Sequence, residues 1–251
     1  MIEDPQGTVL ALFAAFCRIG GCFLVLPGFA SARVPVQIRL FLAVAVSMSI
    51  LPLMWDTIYP RATGPVATYV TLIVFETLIG TVIGLITRYY VLGLQFAGTV
   101  LTMMIGFNAP PSQDILEDAA ENQLTNLISF CGLMVLFMLD FHHAVVRALV
   151  DSYTAMPMGG GSFNPQSALI TLTDTLAQTF MIMLRLASPF ILYGLLFNIA
   201  VGLVNKLAPQ IPIYFISLPF IILGGMFLVY FGISEMLEIF ANGFAPVFLG
   251  N

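Results

Sequence analysis

Between Thr175 and Val204 the chain passes through a block whose only charged residue is Arg185. About 20 apolar residues in a helix cross the roughly 30 Å hydrocarbon core of a bilayer, and this block exceeds that length. No water is available in hydrocarbon to satisfy backbone N–H and C=O groups, so a chain dominated by such blocks folds as helices that close their hydrogen bonds internally. Further apolar blocks at 8–30, 38–55, 66–90, 92–106 and 122–150, with a broken block at 207–240, predict an all-α protein of about six helices, with 66–106 readable as one bent pair.

Composition excludes several classes. The 251 residues are 59% hydrophobic and 8% charged, with a mean hydropathy of +1.01. Soluble domains carry about 25% charged residues, so the chain is membrane-class. The net charge of −5 is thinly spread and forms no basic stripe, which argues against a nucleic-acid partner. Cys17, Cys22 and Cys131 fall in no ligand pattern and read as small buried apolar residues. Glu3 and Asp4 stand where a cleavable signal would be positively charged. No soluble domain or internal repeat interrupts residues 1–251, which read as one helical domain. Turns are expected at Asp56–Pro65, at Asn108–Ser112 with its Pro-Pro pair, and at Met156–Pro165 with its three glycines.

The charge pattern gives conflicting orientation signals. Arg33 and Arg39 favour a cytoplasmic loop after the first block, and Arg61 favours the next connection, yet one spanning helix would separate the two. Ordinary spanning topology is therefore a poor description of this chain.

Gly202–Pro219 reads GLVNKLAPQIPIYFISLP. Proline removes a backbone donor and clashes with the preceding turn, so a continuous helix is not expected here. Broken backbone in an apolar setting needs protein or a water-filled cavity around it. Asn205, Lys206, Pro209 and Gln210 are therefore expected to pack against partners or line a passage.

Ionisable residues inside apolar blocks are costly and face charges, water or protein. Glu76, Gly80, Gly84 and Arg88 recur at spacing four along one slanting stripe, and Gly80 with Gly84 makes the small-xxx-small pattern of close helix contact. That stripe predicts a helix–helix contact, with an ion path through Glu76 as the sharper alternative. Arg18 shares a face with Ala11, Ala15 and Cys22, which predicts tight packing with its guanidinium on carbonyls or a partner's carboxylate. Asp140, His143, Arg147 and Asp151 form a stripe of alternating charge. A metal site at Asp140, His142 and His143 is disfavoured because adjacent histidines point about 100° apart on a helix. Asp174, Gln178 and Arg185 share a further face, and Asn198 and Asn205 another. For all of these stripes, contact between subunits is the expected role.

Residues 104–124 contain a non-helical run, Gly106–Pro111, followed by a helix start in which Asp114 and Glu117 resemble an N-terminal capping pattern. Leu116, Ala120, Leu124 and Leu127 form its apolar face. The chain holds no GxSxG, HExxH or phosphate-binding loop and no paired carboxylates in a pocket, so no enzyme, cofactor or metal is expected.

Four motifs resemble those of the FliR family of flagellar export-gate components, called SctT in injectisomes. They are RIGGCFLVLPGF (Arg18–Phe29) followed by VPVQIRLFLA, the Glu-x3-Gly-x3-Gly helix FETLIGTVIGL, the turn SYTAMPMGG, and the Asn-Lys-Leu-Ala-Pro-Gln cluster ending at Pro219. The resemblance covers nearly the whole chain. It implies tilted membrane-associated helical hairpins, like a FliP-like unit fused to a FliQ-like one. It also implies an export channel built with FliP and FliQ in the flagellar basal body of the bacterial inner membrane, protruding toward the periplasm. FlhB and FlhA would be further partners, and unfolded flagellar proteins would pass through. A mid-chain loop plugs the channel in that family, which places gating at Gly106, Phe107, Asn108, Pro110, Pro111, Asp114, Glu117 and Glu121. An injectisome subunit is the alternative within the class. A small secondary transporter using Glu76, Asp140 and Arg185 is the alternative outside it, disfavoured because the two halves hold no matching pair of broken helices.

Overall fold

A computed structural model describes residues 4–29, 34–107, 123–156, 158 and 165–249, and every regular element among them is helical. The helices are α1 (Pro5–Val25), α2 (Val36–Ile50), α3 (Trp55–Ala62), α4 (Val66–Met104), α5 (Gln123–Met138), α6 (Phe141–Ala155), α7 (Pro165–Leu207) and α8 (Ile213–Leu249). Four of them are long and apolar enough to cross a membrane, or up to six if each of two bent pairs counts as one span.

Boundaries depart from the hydropathy reading in instructive places. Residues 66–104 form one helix, and Gly93 and Gly98 within it serve close packing: a Cβ on Gly93 would meet Thr179 and Met183, and one on Gly98 would meet Thr125. The block at 122–150 is interrupted instead, at Asp140, whose φ of 57° is left-handed. The turn expected at Asp56–Pro65 is largely α3, with Pro60 inside an eight-residue helix. Helix α7 begins ten residues before the apolar block, with proline at its first position, where a missing N–H costs nothing. Thr171, Thr173 and Thr175 turn their hydroxyls onto carbonyls four residues back, which satisfies this polar stretch within the helix.

Two compact units share these helices. The first comprises residues 1–89 and 140–176, the second 90–139 and 177–251. In the first, α1 packs on α2 and α3. Asp4 caps α1 by accepting the Gly7 N–H at 3.1 Å and also accepts the Tyr59 hydroxyl at 2.9 Å, so the start of α1 is fastened to α3. Tyr69 of α4 donates to the Leu10 carbonyl at 2.9 Å. Arg39 and Leu24 line a common cleft near the far end of α1. Arginine-bearing segments thus flank both ends of a helix about 30 Å long. The orientation conflict read from the sequence persists in the fold.

In the second unit α7 and α8 form an antiparallel hairpin: Tyr193 donates to the Ile221 carbonyl at 2.9 Å, and Gly243 lies against Ile182. Pro189 deprives the Arg185 carbonyl of its helical partner, and the Ser188 hydroxyl takes that carbonyl at 2.9 Å. The break expected across Gly202–Pro219 is narrower than its prolines imply. α7 stops at Leu207 and α8 resumes at Ile213, directly after Pro212, while Pro219 lies inside α8. The core of this unit centres on Tyr90, whose ring stacks on Phe240 at 4.9 Å and whose hydroxyl donates to the Phe240 carbonyl.

Candidate functional site

Small residues on α1 and α4 create the close contact around which the first unit is organised. Gly80 faces the Arg18 carbonyl, Gly84 faces Cys22, and Gly21 faces the Thr77 carbonyl. The Gly80 and Gly84 contacts advance in the same direction along both helices, so α1 and α4 run parallel here. Backbones this near leave no space for side chains between them, which forces the long side chain of Arg18 sideways into the packed interior.

There it meets Glu76. The Arg18 Nε donates to Glu76 Oε2 at 2.5 Å and Nη2 donates to Oε1 at 3.0 Å, the bidentate geometry that suits guanidinium and carboxylate. The Nη1 group donates to Ser152 Oγ at 3.0 Å, and Nη2 also donates to the Met156 carbonyl at 3.0 Å. The guanidinium carbon lies 4.0 Å from the centre of the Tyr153 ring, within cation–π range. Arg18 and Glu76 are both 0% exposed.

Chemically this is a closed network. Four of the five guanidinium donors and both carboxylate oxygens are engaged, and no solvent or substrate reaches them. A carboxylate so held is not available for relaying protons, which counts against the ion path through Glu76. The charges satisfy one another within this chain, as the helix–helix reading of the Glu76 stripe expects, because the short Gly80–Arg18 approach brings the two side chains together.

Three of the four motifs singled out in the sequence converge here: Arg18 from the first, Glu76, Gly80 and Gly84 from the second, Ser152 and Met156 from the third. Sequence reading missed Ser152, Tyr153 and the Met156 carbonyl as partners of Arg18. Their motif was legible, but its target, 134 and 138 positions away, was not.

The other candidates are scattered. Arg88 is exposed and stands apart from the Glu76 contact. Asp140 meets His143 instead of Arg147, and among the described residues Arg88, Arg147 and Arg185 make no ion pair. Arg185 and Glu235 line a cleft of about 270 Å³ on the α7–α8 hairpin. Lys206, Pro209 and Gln210 are exposed at the α7–α8 turn, with Asn205 half-buried beside them. Of the gating segment, Gly106 and Phe107 end α4: Gly106 has φ 69°, the Phe107 N–H bonds the Thr102 carbonyl and the Gly106 N–H bonds the Met103 carbonyl. That pair of bonds is a Schellman stop. Asn108, Pro110, Pro111, Asp114, Glu117 and Glu121 lie outside the described residues.

A sequence profile for the family described as bacterial export proteins, family 1, matches residues 9–247. The chain belongs to this family. It is 28% identical over 230 residues to the flagellar biosynthetic protein FliR of Caulobacter vibrioides, covering 90% of each chain. It is 26% identical to the FliR of Escherichia coli K12, over 82% of this chain and 78% of the relative. The FliR of Aquifex aeolicus is 22% identical over 96% of this chain and 92% of its own. The FliR-family resemblance drawn from the four motifs holds, and the family places the chain in flagellar biosynthesis and export.

Proposed function

We propose that this chain is a wall-forming subunit of the flagellar type III export gate in the bacterial inner membrane, built into a channel with FliP and FliQ and contacting FlhB and FlhA. Its work is structural, and the mid-chain segment after Gly106 closes the passage through which unfolded flagellar proteins leave.

The length of the exposed apolar surface carries this reading. Large apolar side chains remain exposed along α4 from Val66 to Met103, and along α7 from Leu169 to Leu207. Each stretch is about 55 Å of helix, nearly twice the roughly 30 Å of hydrocarbon. A helix that only crosses the bilayer needs about 20 residues, so the surplus apolar face on each stretch calls for a covering other than lipid. Other protein chains are the covering that fits. Arginines flanking both ends of α1 agree, since an assembly protruding toward the periplasm frees such helices from the lipid-facing charge rule.

Copurification of the tagged chain from membranes tests the proposal. FliP and FliQ should be recovered with it, and the chain made without them should be degraded. A stable, well-folded monomer from cells lacking both would overturn the assignment. Deleting several residues within 106–121 should make the membrane permeable to small ions, and an intact barrier in that strain would remove the gating role from the segment.

A further inference from the structure

Asp140 is the only described non-glycine residue with positive φ, and it sits where α5 ends and α6 begins. This backbone keeps the carboxylate at the start of α6, beside the two histidines of its first turn. His143 Nδ1 lies 3.2 Å from Asp140 Oδ1, and His142 Nε2 lies 3.9 Å from the same oxygen. One ligand atom from each of the three residues falls within a 4.8 Å group. The expectation that adjacent histidines diverge is overcome by the use of different ring nitrogens: the near Nδ1 of one and the far Nε2 of the other reach the same point.

Zinc bonds to imidazole nitrogen and carboxylate oxygen are about 2.0–2.2 Å long, which puts tetrahedral ligand atoms about 3.4 Å apart. The observed separations need only small side-chain rotations to match. All three side chains reach solvent, at 73% exposed for Asp140, 74% for His143 and 41% for His142, so the remaining coordination positions are open to water. Two imidazoles and one carboxylate with open positions form a donor set that suits zinc and neighbouring divalent transition metals over calcium or magnesium.

We propose that Asp140, His142 and His143 form an exchangeable zinc site at the junction of α5 and α6. The site is separate from the Arg18–Glu76 network and independent of the export-gate reading.

The test uses the full chain, purified with whatever membrane partners it retains and carrying no histidine tag. Zinc binding is measured by equilibrium dialysis, and ligand type by the visible spectrum of the cobalt-substituted protein. One equivalent of zinc per chain is expected, with Asp140→Gly and His143→Gln each weakening it about tenfold or more, since even outer-shell changes cost that much. Glycine accepts the left-handed backbone at this position, so Asp140→Gly removes the ligand without straining the chain. His142→Gln/His143→Gln decides the matter if the glycine variant fails to fold. The exposed carboxylate of Asp151 serves as control, and Asp151→Asn should leave binding unchanged. Absence of saturable binding, or binding that survives both Asp140→Gly and the double histidine variant, would overturn the proposal.

Discussion

Gly80 stands against the backbone carbonyl of Arg18 with no room for even a methyl group between them. That one approach sets the spacing of α1 and α4, and through it the meeting of the Arg18 and Glu76 side chains. Packing and electrostatics in the first unit are therefore one feature.

Gly80→Ala is expected to destabilise the first unit by at least the 1–3 kcal/mol typical of overpacking, because the obstructing atoms are backbone and cannot rotate away. Gly64→Ala is the contrast: its nearest neighbour is 3.6 Å away, an ordinary contact. Thermal unfolding of the two variants in detergent should separate them. Equal stability would mean that the α1–α4 contact relaxes freely.

Arg18→Met or Glu76→Leu alone leaves a buried, unpaired charge and should cost about 3–5 kcal/mol. The double variant should recover much of that loss, because apolar groups of similar size can replace a buried ion pair nearly neutrally. A double-mutant cycle on unfolding free energy reads the coupling directly. Additive losses would show that the two side chains act independently.

Asp4 gives the pH dependence. Its carboxyl is held below the ordinary aspartate value of 3.8, chiefly by the Gly7 N–H and then by the Tyr59 hydroxyl. A lowered folded value means the cap contributes fully above pH 3.8 and loses its contribution as pH falls through the folded value. The protection factor of the Gly7 amide, its exchange relative to an unstructured peptide at the same pH, should therefore fall in strong acid and change little between pH 5 and 8. In Asp4→Asn, which caps without a charge, the acid-side loss of protection should vanish. An Asn variant that frays with acid as the native chain does would assign the effect to another group.

Helix content and the apolar blocks were legible from composition and hydropathy, since satisfying backbone groups in an apolar setting leaves little but helix. The boundaries were less so. Gly93 and Gly98 resemble breakers locally but serve packing at a distance, and Asp140, which interrupts a helix, has nothing in its neighbours to announce a left-handed backbone. At the candidate site the sequence reading found Glu76, Gly80 and Gly84 by their spacing and Arg18 by its small neighbours. It could not join them, because helix periodicity says which residues share a face and never what that face meets.

Sequence alone determined that this is a helical, membrane-class chain with the motifs of the FliR family, because hydropathy and local motifs are properties of neighbouring residues. Only the tertiary structure decided that Arg18, Glu76 and Ser152 close on one another inside the chain, and that Asp140 gathers His142 and His143. The first depends on the distance between two backbones, which a glycine with no side chain permits, and the second on the left-handed backbone at Asp140.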